Sequence, residues 1–184
     1  MMITERDTVL LSNSAVLTAI DQLADRIYRD FTQPQKRVVV GIRRGGALVA
    51  HLLWQRLNQQ LDFELPIGFL DISFYRDDHN TVASNPIIGA TDLTMNIDDK
   101  RIILVDDVLF TGRTIRAALN ALFDYGRPEI VDLLVLADRG GRQLPIKPNY
   151  CGLDIDASHQ ESIKLIDQGT EGLILVRRPL DNLG

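Results

Sequence analysis

Residues 102–114 combine an apolar run, two adjacent carboxylates and a glycine-containing turn, and this combination most strongly constrains the fold. Ile102-Ile103-Leu104-Val105 is apolar throughout, which is typical of a parallel strand buried on both faces. Asp106 and Asp107 follow it, and Thr111-Gly112-Arg113-Thr114 then opens a helix. The N-terminus of a helix binds anions through its N–H groups, and glycine lets a phosphate approach the backbone. The segment therefore predicts a phosphate site within an α/β fold.

The paired carboxylates Asp106 and Asp107 are unsuited to the same phosphate, because like charges repel. They suit hydroxyl groups or a metal ion beside it, since carboxylate oxygens are ligands that Mg²⁺ prefers. This combination predicts a phosphorylated sugar as the ligand, with Mg²⁺ held through it. An Asp-Asp pair alone is often only a helix cap, and receiver domains also gather acids at strand ends. A receiver domain would not continue with Thr-Gly-Arg-Thr.

A second turn rich in glycine and arginine, Arg43-Arg44-Gly45-Gly46, follows the β-branched run at residues 37–42. Taken alone it is compatible with a plain surface turn. Both turns stand between a predicted strand and a predicted helix, at the sheet edge where α/β proteins bind ligands. Two separated anion sites match phosphoribosyl pyrophosphate better than a nucleoside triphosphate, whose phosphates form one chain. Neither turn contains the Gly-x-x-x-x-Gly-Lys of a Walker A loop.

The spacing of apolar residues predicts alternating helices and strands in a single domain. We expect helices over residues 13–31, 47–58 and 113–125, the first capped by Asn13 or Ser14, and strands over residues 37–42, 65–74, 102–105, 129–136, 150–155 and 173–176. This alternation indicates an α/β fold with a mostly parallel sheet flanked by helices. Residues 75–99 form a long, weakly patterned polar stretch, which is typical of functional or disordered loops.

Composition and charge exclude several classes of protein. The net charge of −5 argues against nucleic-acid binding by bulk electrostatics, although a local basic face stays open. The single cysteine, Cys151, excludes an internal disulfide and fits a reducing cytoplasm. No apolar run approaches the roughly 18 residues of a membrane span, and the N-terminus lacks the pattern of a signal peptide. We therefore expect a cytoplasmic protein without a membrane partner.

Three stretches together resemble the PyrR family of type I phosphoribosyltransferases, whose members attenuate pyrimidine operons and act as uracil phosphoribosyltransferases. Residues 102–114 resemble the superfamily's phosphoribosyl-pyrophosphate motif. Residues 70–78 (LDISFYRDD) and 138–152 (DRGGRQLPIKPNYCG) are similar to PyrR in particular. The resemblance implies one domain over residues 1–184 with the type I fold. It also implies a small hood, formed by the terminal segments and residues 139–158, and a homodimer or higher homo-oligomer.

The same resemblance implies a reaction in which uracil and phosphoribosyl pyrophosphate give UMP and pyrophosphate, with Mg²⁺ bound through the substrate. By this resemblance, the 5′-phosphate is bound by Thr111, Gly112, Arg113 and Thr114, and the pyrophosphate is bound by Arg43, Arg44, Gly45 and Gly46. Asp106 and Asp107 are catalytic residues that hold the ribose hydroxyls and share in binding Mg²⁺. A mobile loop carries a catalytic Arg76, and Phe110 and Arg139 belong to the base pocket or hood. Purine-specific relatives often carry a carboxylate where this chain has Phe110.

The alternative is a UMP-dependent, RNA-binding attenuator that keeps the nucleotide site as a sensor. Attenuating members carry Thr-Arg-Ile-Ala-His along the first helix, whereas this chain reads Thr18-Ala19-Ile20-Asp21-Gln22. Gly141 replaces another histidine of the pattern, and Arg139, Arg142 and Lys147 remain as a basic strip. These departures argue against RNA attenuation and favour the enzyme. In the pyrophosphate loop, Arg44-Gly45-Gly46 replaces the common Thr-Arg-Gly, which moves the arginine by one place.

Overall fold

The structure, a computed structural model, describes residues 3–73 and 91–180. Its strands are β1 (Thr8–Leu11), β2 (Arg37–Ile42), β3 (Ile67–Leu70), β4 (Arg101–Leu109), β5 (Ile130–Asp138), β6 (Tyr150–Asp154), β7 (Glu161–Asp167) and β8 (Leu173–Pro179), and its helices are α1 (Asn13–Arg29), α2 (Gly45–Asn58) and α3 (Arg113–Phe123). Short 3₁₀ turns occur at Pro34–Lys36 and Gly169–Glu171. No helix in the described ranges is long and apolar enough to cross a membrane.

The main layer is a five-stranded sheet in the order β3-β2-β4-β5-β6, and every neighbouring pair of strands is parallel. Helices α1 and α2 cover one face, where Ile103 and Val105 of β4 join their core. Helix α3 covers the other face, against Ile102 and Leu104. The uninterrupted apolar run of β4 thus follows from burial on both faces. The expected α/β fold with helices flanking a mostly parallel sheet is confirmed.

Local differences from the expected boundaries have clear physical reasons. Ser12, one residue before the expected caps, accepts a hydrogen bond from Ala15 N at 3.4 Å and caps α1. The side chain of Asn13 instead accepts from Leu173 N at 3.1 Å, and so ties α1 to β8. Strand β3 is shorter than the expected strand over residues 65–74, because only Ile67–Leu70 pair with β2.

The order of the strands places a switch point between β2 and β4. From β2 the chain crosses through α2 to β3 on one side, and it then returns to β4 on the other side of β2. Connections that leave two neighbouring strands in opposite directions open a crevice at their carboxyl ends. Both turns predicted to bind anions border this crevice.

A second, three-stranded antiparallel sheet has the order β1-β8-β7. Its outer strands β1 and β7 were not expected from the sequence. Asp7, which directly precedes β1, accepts two hydrogen bonds of 2.6 Å from Arg178 of the neighbouring strand β8. Within residues 139–158, which we expect to contribute to the hood, Tyr150–Asp154 forms the expected short strand β6. This segment pairs with β5 as the edge strand of the parallel sheet, because its backbone aligns with Leu134–Asp138.

Candidate active site

The paired acids lie within β4, which continues through them to Leu109. Asp106 is buried, and its Oδ1 accepts a hydrogen bond from Asp107 N at 3.0 Å. The Asp107 carboxyl group reaches both the Asp106 carboxyl group and the backbone of Leu165 in β7. Desolvation raises the pKa of Asp107 above the ordinary carboxyl value, against the effect of these hydrogen bonds. The pair therefore favours a ligand that supplies hydroxyl donors or a cation.

The turn at residues 43–46 packs directly against the end of β4. A Cβ atom at Gly46 would lie 2.5 Å from Val105 O, and one at Gly45 would lie 2.2 Å from Asp107 Oδ2. Glycine at both positions therefore allows the turn and the acids to share the crevice. Arg44 is exposed. The guanidinium of Arg43 lies 5.4 Å from the centre of the Phe69 ring, against β3.

The predicted phosphate turn has the geometry of an open helix N-terminus. Gly112 precedes α3 with a φ of 92°, in the left-handed region that favours glycine. Gly112 has no side chain that could cap α3, and Arg113 N donates to Thr111 Oγ1 at 3.3 Å. In the loop that follows β5, the backbone N–H groups of Gln143 and Leu144 donate to Thr111 O at 3.0 and 3.1 Å. The turn is thus held in place while the first turn of α3 stays available to an anion.

Phe110 and Arg139 form one stacked unit beside the acids. The Arg139 guanidinium lies 3.8 Å from the centre of the Phe110 ring. It also donates to Glu161 O at 2.8 Å and to Ser158 O at 3.0 Å, so that it joins the end of β5 to β7. A Cβ atom at Gly141 would lie 2.5 Å from Phe110 Cε2. The aromatic ring therefore occupies space that a side chain at position 141 would need.

Arg142 holds the loop at residues 139–149 against the sheet. Its guanidinium donates to Ile146 O at 2.9 Å, to Phe110 O and to a carboxylate oxygen of Asp138. Burial alone would raise the pKa of Asp138, but the hydrogen bonds from Arg142 and from Gly140 N, together with the charge of Arg142, lower the pKa below its ordinary value. The expectation of a basic strip at Arg139, Arg142 and Lys147 is therefore wrong for the two arginines, which bond to groups inside the protein.

Two cavities adjoin the stacked unit. One, of about 540 Å³, is bordered by Asp107, Phe110, Arg139 and residues of β7. The other, of about 590 Å³, lies between residues 138–142 and residues 154–159. His159 borders both. Sequence reasoning missed the contribution of β7, because it predicted no strand there, and it assigned no role to His159. The predicted catalytic residue Arg76 lies outside the described residues.

A family model for the phosphoribosyl transferase domain matches residues 8–166. The chain is 40% identical over 156 residues to the "Bifunctional protein PyrR" of Acetivibrio thermocellus, with 85% of each chain covered. It is 41% identical over 167 residues to that of Deinococcus radiodurans, with 91% of each covered. The chain belongs to the PyrR family of phosphoribosyltransferases. The resemblance found in its sequence is thereby confirmed.

Solved structures similar to this PyrR family member are also phosphoribosyltransferases. A hypoxanthine phosphoribosyltransferase from Staphylococcus aureus has a TM-score of 0.64 at 26% identity, covering 80% of this chain and 77% of its own. A hypoxanthine-guanine phosphoribosyltransferase from Bacillus anthracis has a TM-score of 0.67 at 20% identity, covering 98% and 100%. The latter likeness concerns the fold alone. Together they confirm the type I phosphoribosyltransferase fold.

The donor set at the acids of this PyrR family member fits Mg²⁺ shared with a ligand. Within residues 3–73 and 91–180, no group of three or more histidine, cysteine or acidic side chains is arranged to hold a metal. Mg²⁺ commonly binds through one or two carboxylates together with phosphate oxygens of a substrate. Asp106 and Asp107 supply two hard oxygen donors beside the turn at residues 43–46, and the remaining ligands would come from the substrate and water.

Proposed function

We propose that this PyrR family member is a uracil phosphoribosyltransferase, which converts uracil and phosphoribosyl pyrophosphate to UMP and pyrophosphate. One observation carries the proposal. Two glycine turns suited to anions and a pair of acids meet at one switch point, and a cavity of about 540 Å³ continues from Asp107 towards β7. Two separated anion sites with acids between them suit a ribose that carries a phosphate and a diphosphate better than a linear triphosphate, whose phosphates form one chain.

Each part of the substrate has a group of suitable chemistry. The 5′-phosphate would bind at the first turn of α3, at Thr111–Thr114, and the ribose hydroxyls would donate to Asp106 and Asp107. The diphosphate would lie against the turn at residues 43–46, where Arg44 is exposed to receive it. The base would enter the cavity beside Phe110. Arg76, assigned by resemblance to a loop that closes over the site, belongs to the same proposal.

The reaction transfers a ribosyl group from oxygen to nitrogen. The bond between C1′ and the diphosphate oxygen breaks with its electron pair on pyrophosphate, which leaves positive charge on the ribose ring. Uracil N1 then forms the bond to C1′ and loses its proton. When bound, Mg²⁺ neutralises the negative charge that develops on the diphosphate. The carboxylates lie beside the cationic ribose, and closure of the site would exclude water from it.

RNA attenuation is not part of the proposed function, because the outer face of α1 is acidic. Asp21 pairs with Arg56 of α2, and Asp25 Oδ1 accepts a hydrogen bond from Gln60 at 3.1 Å. Arg56 is therefore bound to Asp21 and is not free to bind a phosphate. Arg139 is likewise bound to carbonyl groups inside the protein. This face lacks the positive charge that binding to a phosphate backbone requires.

Three further properties belong to the same proposal: magnesium dependence, a cytoplasmic location and a homodimer or higher homo-oligomer. Exposed apolar side chains on the helices, among them Leu48 of α2 and Phe123 at the end of α3, offer surfaces for self-association.

The deciding experiment measures pyrophosphate release from phosphoribosyl pyrophosphate and Mg²⁺, with uracil, hypoxanthine, guanine or orotate added separately. We expect release that depends on uracil alone. Release with a purine alone would correct the base, and no release with any base would refute the enzymatic proposal.

A further inference from the structure

The loop at residues 139–149, which follows β5, holds the turn proposed to bind the 5′-phosphate. The backbone N–H groups of Gln143 and Leu144 donate to Thr111 O at 3.0 and 3.1 Å. A Cβ atom at Gly112 would lie 3.3 Å from Leu144 Cβ, so the loop also packs directly against the turn. The backbone of the loop therefore fixes the point from which the side chain of Gln143 extends.

The side chain of Gln143 makes a second contact, with the first residue of α3. Its Oε1 accepts a hydrogen bond from Arg113 Nε at 3.0 Å. Because the Nε–H group can only donate, the amide oxygen faces Arg113 and the amide NH2 group points away from it. Within residues 3–73 and 91–180, this is the one hydrogen bond that the Arg113 guanidinium makes, and it forms no ion pair. Its two terminal nitrogens are therefore open to a ligand.

The charge of Arg113 lies where it is unfavourable in the absence of an anion. Arg113 begins α3, and the first turn of this helix contains no acidic side chain. The N-terminus of a helix carries partial positive charge, which favours anions and disfavours cations. An arginine at this position is thus repelled by the helix until an anion binds beside it. The charge therefore serves the proposed phosphate site and not the stability of α3.

We propose that Gln143 is a positioning residue for Arg113, which holds the guanidinium by its Nε and directs the two terminal nitrogens to the 5′-phosphate. The inference rests on the proposed function, and it adds to the phosphate site a residue that lies outside the motif at residues 111–114. Gln143 acts through Arg113 and does not need to touch the substrate. A guanidinium that is already held loses less freedom when the phosphate binds, which leaves more of its bonding energy for affinity.

The neutral amide of Gln143 is part of the proposed role. A carboxylate at this position would accept the same hydrogen bond, but it would also pair with the charge of Arg113 and repel the phosphate. The amide accepts the bond and leaves the full positive charge of Arg113 at the turn. Glutamine therefore orients the guanidinium without competing with the ligand for its charge.

Steady-state kinetics and titration calorimetry with UMP test Gln143→Ala. We expect the KM for phosphoribosyl pyrophosphate and the Kd of UMP to rise about 5-fold or more, as when a hydrogen bond to a charged group is weakened. The kcat and the KM for uracil should stay unchanged, because a bond lost equally from the ground state and the transition state raises KM alone. The matched control is Gln55→Ala on α2, at the other face of the sheet, where the exposed amide contacts His51 at 3.3 Å. It should change none of these quantities.

A double-mutant cycle shows whether Gln143 acts through Arg113. We expect Arg113→Ala to weaken UMP binding about 10-fold or more, and Gln143→Ala to add no further loss in that background. Arg113→Ala should not lower the Tm, since it removes a cation from the N-terminus of α3. Full additivity of the two losses would overturn the inference, because Gln143 would then contribute independently of Arg113.

Gln143→Glu tests the need for a neutral acceptor. The glutamate would pair with Arg113, so we expect a Tm at least equal to that of the parent chain together with weaker UMP binding than in Gln143→Ala. A UMP affinity equal to that of the parent chain would contradict this part of the role. If Gln143→Ala leaves the Kd of UMP and the KM for phosphoribosyl pyrophosphate unchanged while the parent chain turns over uracil, the inference is wrong and the proposed function stands. A parent chain that neither binds UMP nor turns over uracil would overturn both.

Discussion

The carboxyl group of Asp107 occupies the position next to Gly45 that any side chain there would need. A Cβ atom at Gly45 would lie 2.2 Å from Asp107 Oδ2 and 2.4 Å from its Cγ. The turn proposed to hold the diphosphate and the acid proposed to hold the ribose are thus fitted to each other. The turn and Asp107 can lie this close together only because Gly45 has no Cβ atom.

Gly45→Ala should therefore displace Asp107 and impair both stability and turnover. We expect a loss of about 1–3 kcal/mol in the free energy of unfolding, the usual cost of overpacking. The kcat/KM for phosphoribosyl pyrophosphate should fall as well. Thermal denaturation of Gly45→Ala, Asp107→Ala and the double variant tests the cause. If the clash is the reason, the alanine at position 45 costs little once Asp107 is truncated. An undiminished cost in the double variant would assign the effect to the turn itself.

Asp107→Asn should lower activity while raising stability. We expect turnover to fall by about 10²-fold or more, as when other preorganised polar groups are lost, and the same for Asp106→Asn. Desolvation raises the pKa of Asp107, so its ionised form destabilises the folded state at neutral pH. An amide avoids this cost, and we expect a gain of about 1 kcal/mol, or roughly 2–4 °C in Tm.

The pH dependence distinguishes this explanation from improved packing. A carboxyl group with a raised pKa becomes protonated in the folded protein as the pH falls, and its penalty then disappears. The Tm advantage of Asp107→Asn should accordingly shrink between pH 7.5 and pH values near the ordinary carboxyl pKa of about 4. A constant advantage would indicate packing, and unchanged steady-state rates in both asparagine variants would remove these acids from the mechanism.

The sequence was sufficient to predict the strand, acids and helix around residues 101–123, because a buried parallel strand and a glycine turn have strong local signatures. It was insufficient for β7. Residues 161–167 (ESIKLID) do not show a regular alternation of polar and apolar side chains. The buried and partly buried positions of this strand do not alternate either. The hydrogen-bond partners of Arg139 and Arg142 could not be predicted from the sequence either, because the carbonyl groups that these side chains bind come from distant segments of the chain. Tertiary contacts, not local preference, decide such positions.

Arg142→Ala should destabilise the loop at residues 139–149 and, through it, the turn at residues 111–114. The guanidinium satisfies Phe110 O, Ile146 O and Asp138, and removing it leaves these acceptors with no guanidinium partner. We expect a loss of about 2–4 kcal/mol in the free energy of unfolding by denaturant titration. Arg142→Lys should not restore it, because a lysine lacks the planar fork. Exposed Lys147→Ala in the same loop is the matched control, and equal effects of the two alanine substitutions would contradict this role.

The ion pair between Asp7 and Arg178 should stabilise the small sheet in a pH-dependent manner. Hydrogen bonds from Arg178 hold the pKa of Asp7 well below its usual range. A carboxyl group with a lowered pKa contributes stability above its unfolded pKa, and that contribution is lost as the pH falls towards the folded value. Asp7→Asn should thus lower Tm at pH 7, and the difference from the parent chain should narrow below about pH 4. Asp62→Asn, at an exposed carboxylate, serves as the control; a difference that is constant with pH would refute the assignment.

The acidic outer face of α1 predicts that this chain binds RNA weakly, with or without UMP. Asp21 and Asp25 lie on this face, and Arg56 is paired with Asp21. A gel-shift titration with the leader RNA of a pyrimidine operon should show no sub-micromolar binding at physiological salt. Asp21→Lys with Asp25→Lys should raise the RNA affinity and make it depend more steeply on salt, since each added cation releases counterions from the phosphate backbone. Tight, salt-sensitive and UMP-dependent binding by the parent chain would show instead that RNA docks elsewhere, because a surface carrying these two carboxylates repels the phosphates that such binding must neutralise.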